Sequence, residues 1–448
     1  MMSETDGAVL CRKLLAHVRA DDAYVTVQGA EAGHLRFAAN SFTFSGRRED
    51  VRVSVTVWSG KKKGEAVGNE LDDAALEALV REAQAIAAVS PEETEYVPTL
   101  GPQEYRPSAR WAEGTAALDA AARARVVSDM IGTCEKDKVV GAGLHRSLAV
   151  VNAWAGKNGG AGTERWTQAS LSMTARTPEG DGSGYFLRDH EDATKIDAAR
   201  IARESVARCL RSRGGTPVEP GLYTVLLEPQ AVADLLTLMR FAFDARRADE
   251  GRSAFSAPGS KTRVGERIFD ERVQMRTDPW HPDLPGSVSS DGGLPARALS
   301  IVKDGVPTNL VYSRFWAREK QKEPTGGFVN FIVESAARPV SVEEMVKDTK
   351  RGLLVTRFWY LRQVDPRTLL YTGLTRDGLW LIENGAVTRP VSNMRFNQSL
   401  MRMLAPGNVD AIGAAERTCA GESQGGSAGL YPALKIKEFE FTSASEAV

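Results

Sequence analysis

Residues 51–58 read VRVSVTVW, in which valine alternates with a polar residue up to Val57. A period of two is the period of a β-strand with one face buried, and a helix does not satisfy it. The fold must therefore contain a sheet with apolar material packed on one side. The flanking sequence supplies candidates for that layer. A helix is predicted over 8–20, with Leu10, Leu14, Leu15 and Val18 on one face. Two partly alternating stretches, 23–28 and 35–44, read as strands. Lys61-Lys62-Lys63-Gly64 reads as a solvated hairpin tip. A second helix opens at Asp72, an N-cap residue. It carries Leu76, Leu79, Val80, Ala83 and Ile86 as its stripe and stops before Ser90-Pro91. Helices near 117–131 and 194–211 bracket strands between 139 and 187.

Arg213-Gly214-Gly215-Thr216-Pro217 is the best linker in the chain. Beyond it the texture changes. Tyr223–Leu227 reads as a buried strand. A helix over 229–243 places Val232, Leu235, Leu236, Met239 and Phe243 on one stripe, while Leu238 and Phe241 lie off it, which predicts burial on both sides. From 262 onward short β-like runs are punctuated by Asp291-Gly292, Asp304-Gly305, Asp377-Gly378 and Asn384-Gly385. The run 434–441 alternates but changes phase between Ile436 and Phe439, which predicts a bulge. The expected class is α+β with two domains: a sheet with helices over 1–213 and a β-rich domain over 214–448.

Composition excludes several classes of function. The 448 residues carry 57 Lys plus Arg against 58 Asp plus Glu, a formal net charge of −1. That balance gives no basis for coating nucleic acid. No apolar run reaches about 18 residues, so no membrane-spanning helix is expected. The start, Met1-Met2-Ser3-Glu4-Thr5-Asp6, lacks a basic leader, and the expected location is cytoplasmic. Cys11, Cys134, Cys209 and Cys419 are too scattered for a disulfide framework or a Cys-rich zinc site.

Motifs for chemistry are sparse. His17, His34, His145, His190 and His281 are too far apart for helix-borne zinc patterns, and neither a phosphate-binding loop nor GxGxxG occurs. Gly421-Glu422-Ser423-Gln424-Gly425 matches GxSxG by letters, but Gly426-Ser427-Ala428-Gly429 is a poor start for the helix that a nucleophile elbow needs. Asp189-His190-Glu191-Asp192 reads as a solvated acidic loop before a helix, with metal ligation as the functional reading. Asp278-Pro279-Trp280-His281-Pro282 reads as a rigid turn with an aromatic anchor, or as a cleft loop with His281 as general acid or base. Cys419, in a Gly-rich loop, is a small hydrophobe or a nucleophile. The aromatic tract 356–361 (TRFWYL) reads as a core strand or a subunit contact.

In order along the chain, these segments resemble the TldD/PmbA (TldE) family. The N-terminal part of the resemblance rests on Arg36-Phe37-Ala38-Ala39-Asn40, Arg48-Glu49-Asp50, the 51–58 strand, Gly64-Glu65-Ala66, and Leu71-Asp72 with its helix. The C-terminal part rests on the segment from Tyr223 to Pro229, Glu250-Gly251-Arg252-Ser253, Val264-Gly265-Glu266, Leu294-Pro295, residues 302–306 (VKDGV), Pro324-Thr325-Gly326 and Asn384-Gly385. The resemblance implies a zinc-peptidase architecture. TldD-type chains carry an HExxxH segment on the helix after the first strand of the C-terminal half, and a Cys near the C-terminus. There the metal lowers the pKa of bound water and a carboxylate takes its proton. PmbA-type chains lack HExxxH and pair with a TldD-type chain.

Carried over residue by residue, Leu235-Leu236 matches the apolar pair before that segment. Thr237 then stands at the first His, Leu238 at the Glu, and Ala242 at the second His; Cys419 with Gln424 matches part of the Cys segment. Thr is a poor zinc ligand, and Leu and Ala offer none. The resemblance thus implies no cofactor in this chain, zinc on a TldD-type partner, and Thr237, Leu238, Ala242 and Cys419 lining a groove. The expected function is a zinc-less PmbA/TldE-like subunit of a metallopeptidase assembly that processes unfolded or short peptides. Its partner would be a TldD-type chain or a second copy, with no nucleic acid and no membrane involved. The alternative is a self-sufficient homodimer that binds peptides or another ligand without catalysis. A weaker third reading is a hydrolase built on His281 with Asp278, or on Cys419.

Overall fold

The computed structural model describes residues 1–421 and 428–445. The first half runs α1 (Glu4–His17), β1 (Asp22–Ala38), β2 (Ser41–Ser59), β3 (Lys62–Gly68), α2 (Asp73–Val89), α3 (Glu113–Ala116), α4 (Ala120–Lys136), β4 (Val140–Gly156), β5 (Ala161–Arg176), β6 (Ser183–His190) and α5 (Ala198–Arg211). Its strands form one antiparallel sheet in the order β3-β2-β1-β4-β5-β6. The valines of the alternating run face inward as expected. Val53, Val55 and Val57, with Val25 and Val27 of β1, pack under Leu14 of α1 and Leu76, Val80 and Ala83 of α2. Farther along the same face, Leu35, Phe37, Leu171 and Met173 pack under Val127 and Ile131 of α4 and Ile201 and Val206 of α5.

Two local readings change. The expected strands 23–28 and 35–44 are one long strand that ends at Ala38, and the chain reverses at Ala39 and Asn40, whose φ values are 50° and 55°. Asn tolerates that left-handed conformation, and its side chain stabilises the turn from outside: Nδ2 donates to the Val139 carbonyl at 2.9 Å and Oδ1 accepts from the Gly141 N–H at 2.6 Å. The first helix starts at Glu4, not near residue 8, because Ser3 and Asp6 form a capping box ahead of the apolar stripe. Asp72 caps α2 through the Ala75 N–H at 3.0 Å, as expected, and Ser90 follows its last residue.

The chain passes to a second sheet over residues 212–220, then forms β7 (Gly221–Leu227) and α6 (Pro229–Met239). Thirteen strands among the described residues make this sheet. Its centre is the strand Gly429–Ala444, antiparallel to β7 and parallel to Phe331–Ser335; β7 continues the sheet in parallel with Arg351–Val355. The pairing of the last strand with β7 shifts between Ile436 and Phe439, where the sequence changes phase. Phe439 is thereby turned into an aromatic cluster, with ring centroids 5.6 Å from Phe358, 5.3 Å from Phe396 and 5.1 Å from Phe441. The expected α6 stripe (Val232, Leu235, Leu236, Met239, Phe243) is wholly buried. The expected burial of the opposite side does not hold. The helix tightens into a 3-10 turn at Arg240–Phe243, which swings Phe241 out to 67% exposure, while Leu238 stays half-buried against the core.

Charged side chains tie the two sheets together. Asp189 and Glu191 are not a solvated loop: Arg417, at the end of the strand Val409–Thr418, reaches Asp189 at 3.1 Å and Glu191 at 2.6 Å, and Asp189 is 3% exposed. Arg188 meets Glu416 at 3.0 Å, and the Trp380 indole N–H donates to the Arg211 carbonyl at 3.1 Å. Among the described residues no helix is long and apolar enough to cross a membrane. Because Phe439 is wholly buried among three other aromatic rings, Phe439→Ala is expected to lower the unfolding free energy by about 3–5 kcal/mol, measured by denaturant titration.

Candidate functional site

Pro229 at the first turn of α6 has a fixed φ and no N–H to leave unpaired, so the helix starts directly after β7. In a largely apolar helix, Gln230 and Asp234 stand one turn apart on the same face, and both are buried. They hold the segment after Thr418. The Thr418 hydroxyl donates to Gln230 Oε1 at 2.9 Å, and Gln230 Nε2 donates to the Cys419 carbonyl at 2.7 Å and to Asp234 Oδ1 at 3.0 Å. Asp234 Oδ1 also accepts from the Gly421 N–H at 2.7 Å, and Oδ2 accepts from the Phe358 N–H at 2.8 Å. One carboxylate thus joins helix, C-terminal loop and sheet.

Arg357 lies alongside. Its guanidinium sits 3.9 Å from the Tyr185 ring centroid and 4.8 Å from that of Trp359, and pairs with Asp377 at 3.2 Å. The Ser183 hydroxyl donates to Asp377 as well. Gly421 belongs beside this cation, since a Cβ there would fall 3.1 Å from Arg357 Nη2.

The four positions expected to line a groove have different immediate surroundings. Thr237 is half-buried, and its hydroxyl shares a 2.7 Å hydrogen bond with the Tyr431 hydroxyl. Leu238 rests half-buried on the core of the second half. Ala242 is buried in the 3-10 turn, and its carbonyl accepts from the Ser253 hydroxyl at 2.6 Å. Cys419 is wholly buried against Tyr185 and Leu187 of β6. Its carbonyl is fastened at Gln230, two turns and about 10 Å along the helix from Thr237. Gln424 and most of the GxSxG letters lie outside the described residues.

The donor set does not fit zinc. Thr237 spends its hydroxyl on Tyr431, Leu238 and Ala242 have no donor atom, and burial first, then the charges of Asp189 and Asp234, push the Cys419 thiol well above its ordinary range. Among the described residues no three His, Cys, Asp or Glu side chains group so as to hold a metal ion. The 278–282 segment is a rigid turn: Asp278 accepts from the Trp280 N–H at 3.1 Å, Arg106 covers the Trp280 ring at 4.4 Å, and His281 Nδ1 accepts from the Asp283 N–H at 3.2 Å.

Sequence reading passed over Gln230, Asp234 and Arg357. The signal was available for the first two: polar residues four apart inside an apolar helix. Burial pushes the Asp234 carboxyl up to about 6, against the pull of Arg357 and of the N–H donors. A carboxyl whose folded pKa is raised adds stability below its unfolded value, near 4, and loses it as pH rises through about 6. The stability of the wild type relative to Asp234→Asn is therefore expected to fall by up to roughly 3 kcal/mol between pH 4 and pH 6.5, followed by thermal unfolding at a series of pH values.

Comparisons with known proteins place this geometry in a family. A family profile described as the PmbA/TldA metallopeptidase C-terminal domain matches residues 220–443. A metalloprotease from Methanothermobacter thermautotrophicus is 23% identical over 275 residues, 55% of this chain and 56% of that protein, so the match spans little more than half of the relative. The fold matches the crystal structure of TldE from Thermococcus kodakarensis with a TM-score of 0.86 at 17% identity, over 98% of this chain and 100% of that one. It also matches a Thermotoga maritima protein described as a candidate modulator of DNA gyrase, with a TM-score of 0.84 at 16% identity, over 97% of this chain and 99% of that one. With β7, α6 and the strands around the Cys419 segment all inside the matched region, the chain belongs to the TldD/PmbA family.

Proposed function

We propose that this chain is a zinc-less subunit of a TldD/TldE-type metallopeptidase assembly that processes unfolded or short peptides, with the metal carried by a TldD-type partner. One observation carries the reading: on the helix where the family's zinc ligands are expected, Thr237 is engaged with Tyr431 and the neighbouring positions Leu238 and Ala242 offer no donor. The chain keeps the architecture and not the ligands, which is what a wall of a shared chamber requires. The likeness in fold to the Thermococcus TldE supports the same reading.

A surface suited to a partner is present. Beyond β3, the outer edge of β2 over residues 41–52 pairs with no strand among the described residues, and it carries Phe42 at 49% and Phe44 at 61% exposure. A long exposed edge with aromatic side chains is a template for strand addition. The competing reading, a homodimer that binds peptides without catalysis, would use the same edge.

Native mass spectrometry of the chain purified at endogenous level separates them. The expected result is a heavier assembly containing a second, zinc-bearing chain. A metal-free homodimer would favour the binding protein, and one zinc per copy of this chain would overturn both. Phe44→Asp is expected to weaken the assembly by at least about tenfold while leaving the fold intact, measured by mass photometry over a dilution series.

A further inference from the structure

The helical layer over the first sheet has a gap between the α1–α2 pair and the α4–α5 pair. The floor of the gap is Glu31 and Gly33 of β1 with Ser147 and Ala149 of β4. The wall is the segment 115–120 with the first turn of α4, and β2 contributes the rim. Together they enclose about 510 Å³. The lining includes Arg123, which is only 2% exposed. Its Nη1 donates to the Leu118 carbonyl at 2.7 Å and to Ser147 Oγ at 3.1 Å, and its Nε is buried without a partner. Among the described residues it forms no ion pair. The two acids whose charges act on it are also engaged elsewhere: Glu31 holds Arg47 at 2.9 Å, and Asp119 caps α4 through the Ala122 N–H at 2.7 Å.

The strand beneath is shaped to this cation. A Cβ at Gly33 would fall 2.3 Å from Arg123 Nη1 and 2.6 Å from Cζ, so only glycine lets the guanidinium lie on the sheet. A fixed, buried guanidinium with no carboxylate bonded to it is unfavourable, and a carboxylate of matching geometry offsets that cost. We infer that this cavity binds a monocarboxylate on a short aliphatic tail, such as the C-terminus of a small peptide, with Arg123 as its counter-ion. Arg47 and Arg123 balance Glu31 and Asp119 in the lining, so the site accepts one added negative charge more readily than two. A phosphate dianion would meet Glu31 and Asp119 with its second charge uncompensated. Ala116, Ala117, Leu118 and Ala149 supply small apolar walls for the tail, and the volume lies within the range of small-ligand sites. The inference stands apart from the subunit reading, because it concerns direct binding to this chain alone.

Calorimetric titration of the full chain with N-acetyl-alanyl-alanine, its C-terminal amide, butyrate and inorganic phosphate tests it. The free acid is expected to bind at least about tenfold more tightly than the amide. Tighter binding of the dipeptide than of butyrate assigns the site to peptide C-termini; equal binding assigns it to free short acids. Arg123→Met should abolish binding. Since that change touches a buried residue, Ala117→Glu at an exposed position of the wall serves as the second variant. It is expected to weaken the acid by about tenfold with the unfolding midpoint unchanged. Equal binding of acid and amide, tighter binding of phosphate, or no saturable binding overturns the inference.

Discussion

The Asp234 carboxylate is the point on which the second half of the molecule is organised. It accepts from the side chain of its own helix, from the Gly421 N–H and from the Phe358 N–H. Each donor belongs to a different piece of chain, and a backbone N–H buried without a partner is costly. Removing the carboxylate would therefore leave orphans on the C-terminal loop and on the aromatic strand together. Arg357 nearby supplies the positive charge that makes a buried carboxylate tolerable, and is itself held by Asp377 and covered by Tyr185. In effect a hydrogen-bonded hub occupies one end of α6, while Thr237 and Tyr431 close the next turns.

The two sheets meet through similar physics. Arg417 inserts between Asp189 and Glu191, and all three side chains are largely buried. Such an arrangement adds less net stability than its contacts suggest, because desolvating each charge offsets much of the attraction. Its value is in specificity: a buried cation between two carboxylates accepts one relative placement of the two halves. The Tyr185–Leu187 part of β6, which covers Cys419, is fixed by the same contact. That explains how a residue in a Gly-rich loop becomes wholly buried against the other sheet.

Much of the scaffold was legible from local rules. The alternating valines, the Asp72 cap, the α6 stripe and the phase change between Ile436 and Phe439 all follow from side-chain period and capping chemistry, which act within a few residues. The misreadings also have local causes. The reversal at Ala39–Asn40 lacks a glycine and so hides inside a run that looks continuous. Phe241 looks like part of a second buried face only if the α-helical period is extended through the 3-10 turn. The acidic run around His190 looks solvated because its buried partner, Arg417, arrives from the far end of the chain, while the adjacent Arg188 pairs with Glu416 instead.

The site was legible mainly as an absence. Sequence alone determined that Leu238 and Ala242 bring no side-chain donor atom, because donor atoms belong to residue types and not to folds. It also determined the two-part, strand-rich plan, because period and turn chemistry are written locally. Only the tertiary structure decided what α6 does instead. Gln230 and Asp234 acquire their roles from partners 124 to 189 positions away, Cys419 is wholly buried against β6, and Arg123 lies over Gly33 without an ion pair. Burial and long-range pairing set the cost of a charge and the availability of a donor, and both depend on which distant segments the packed core brings together.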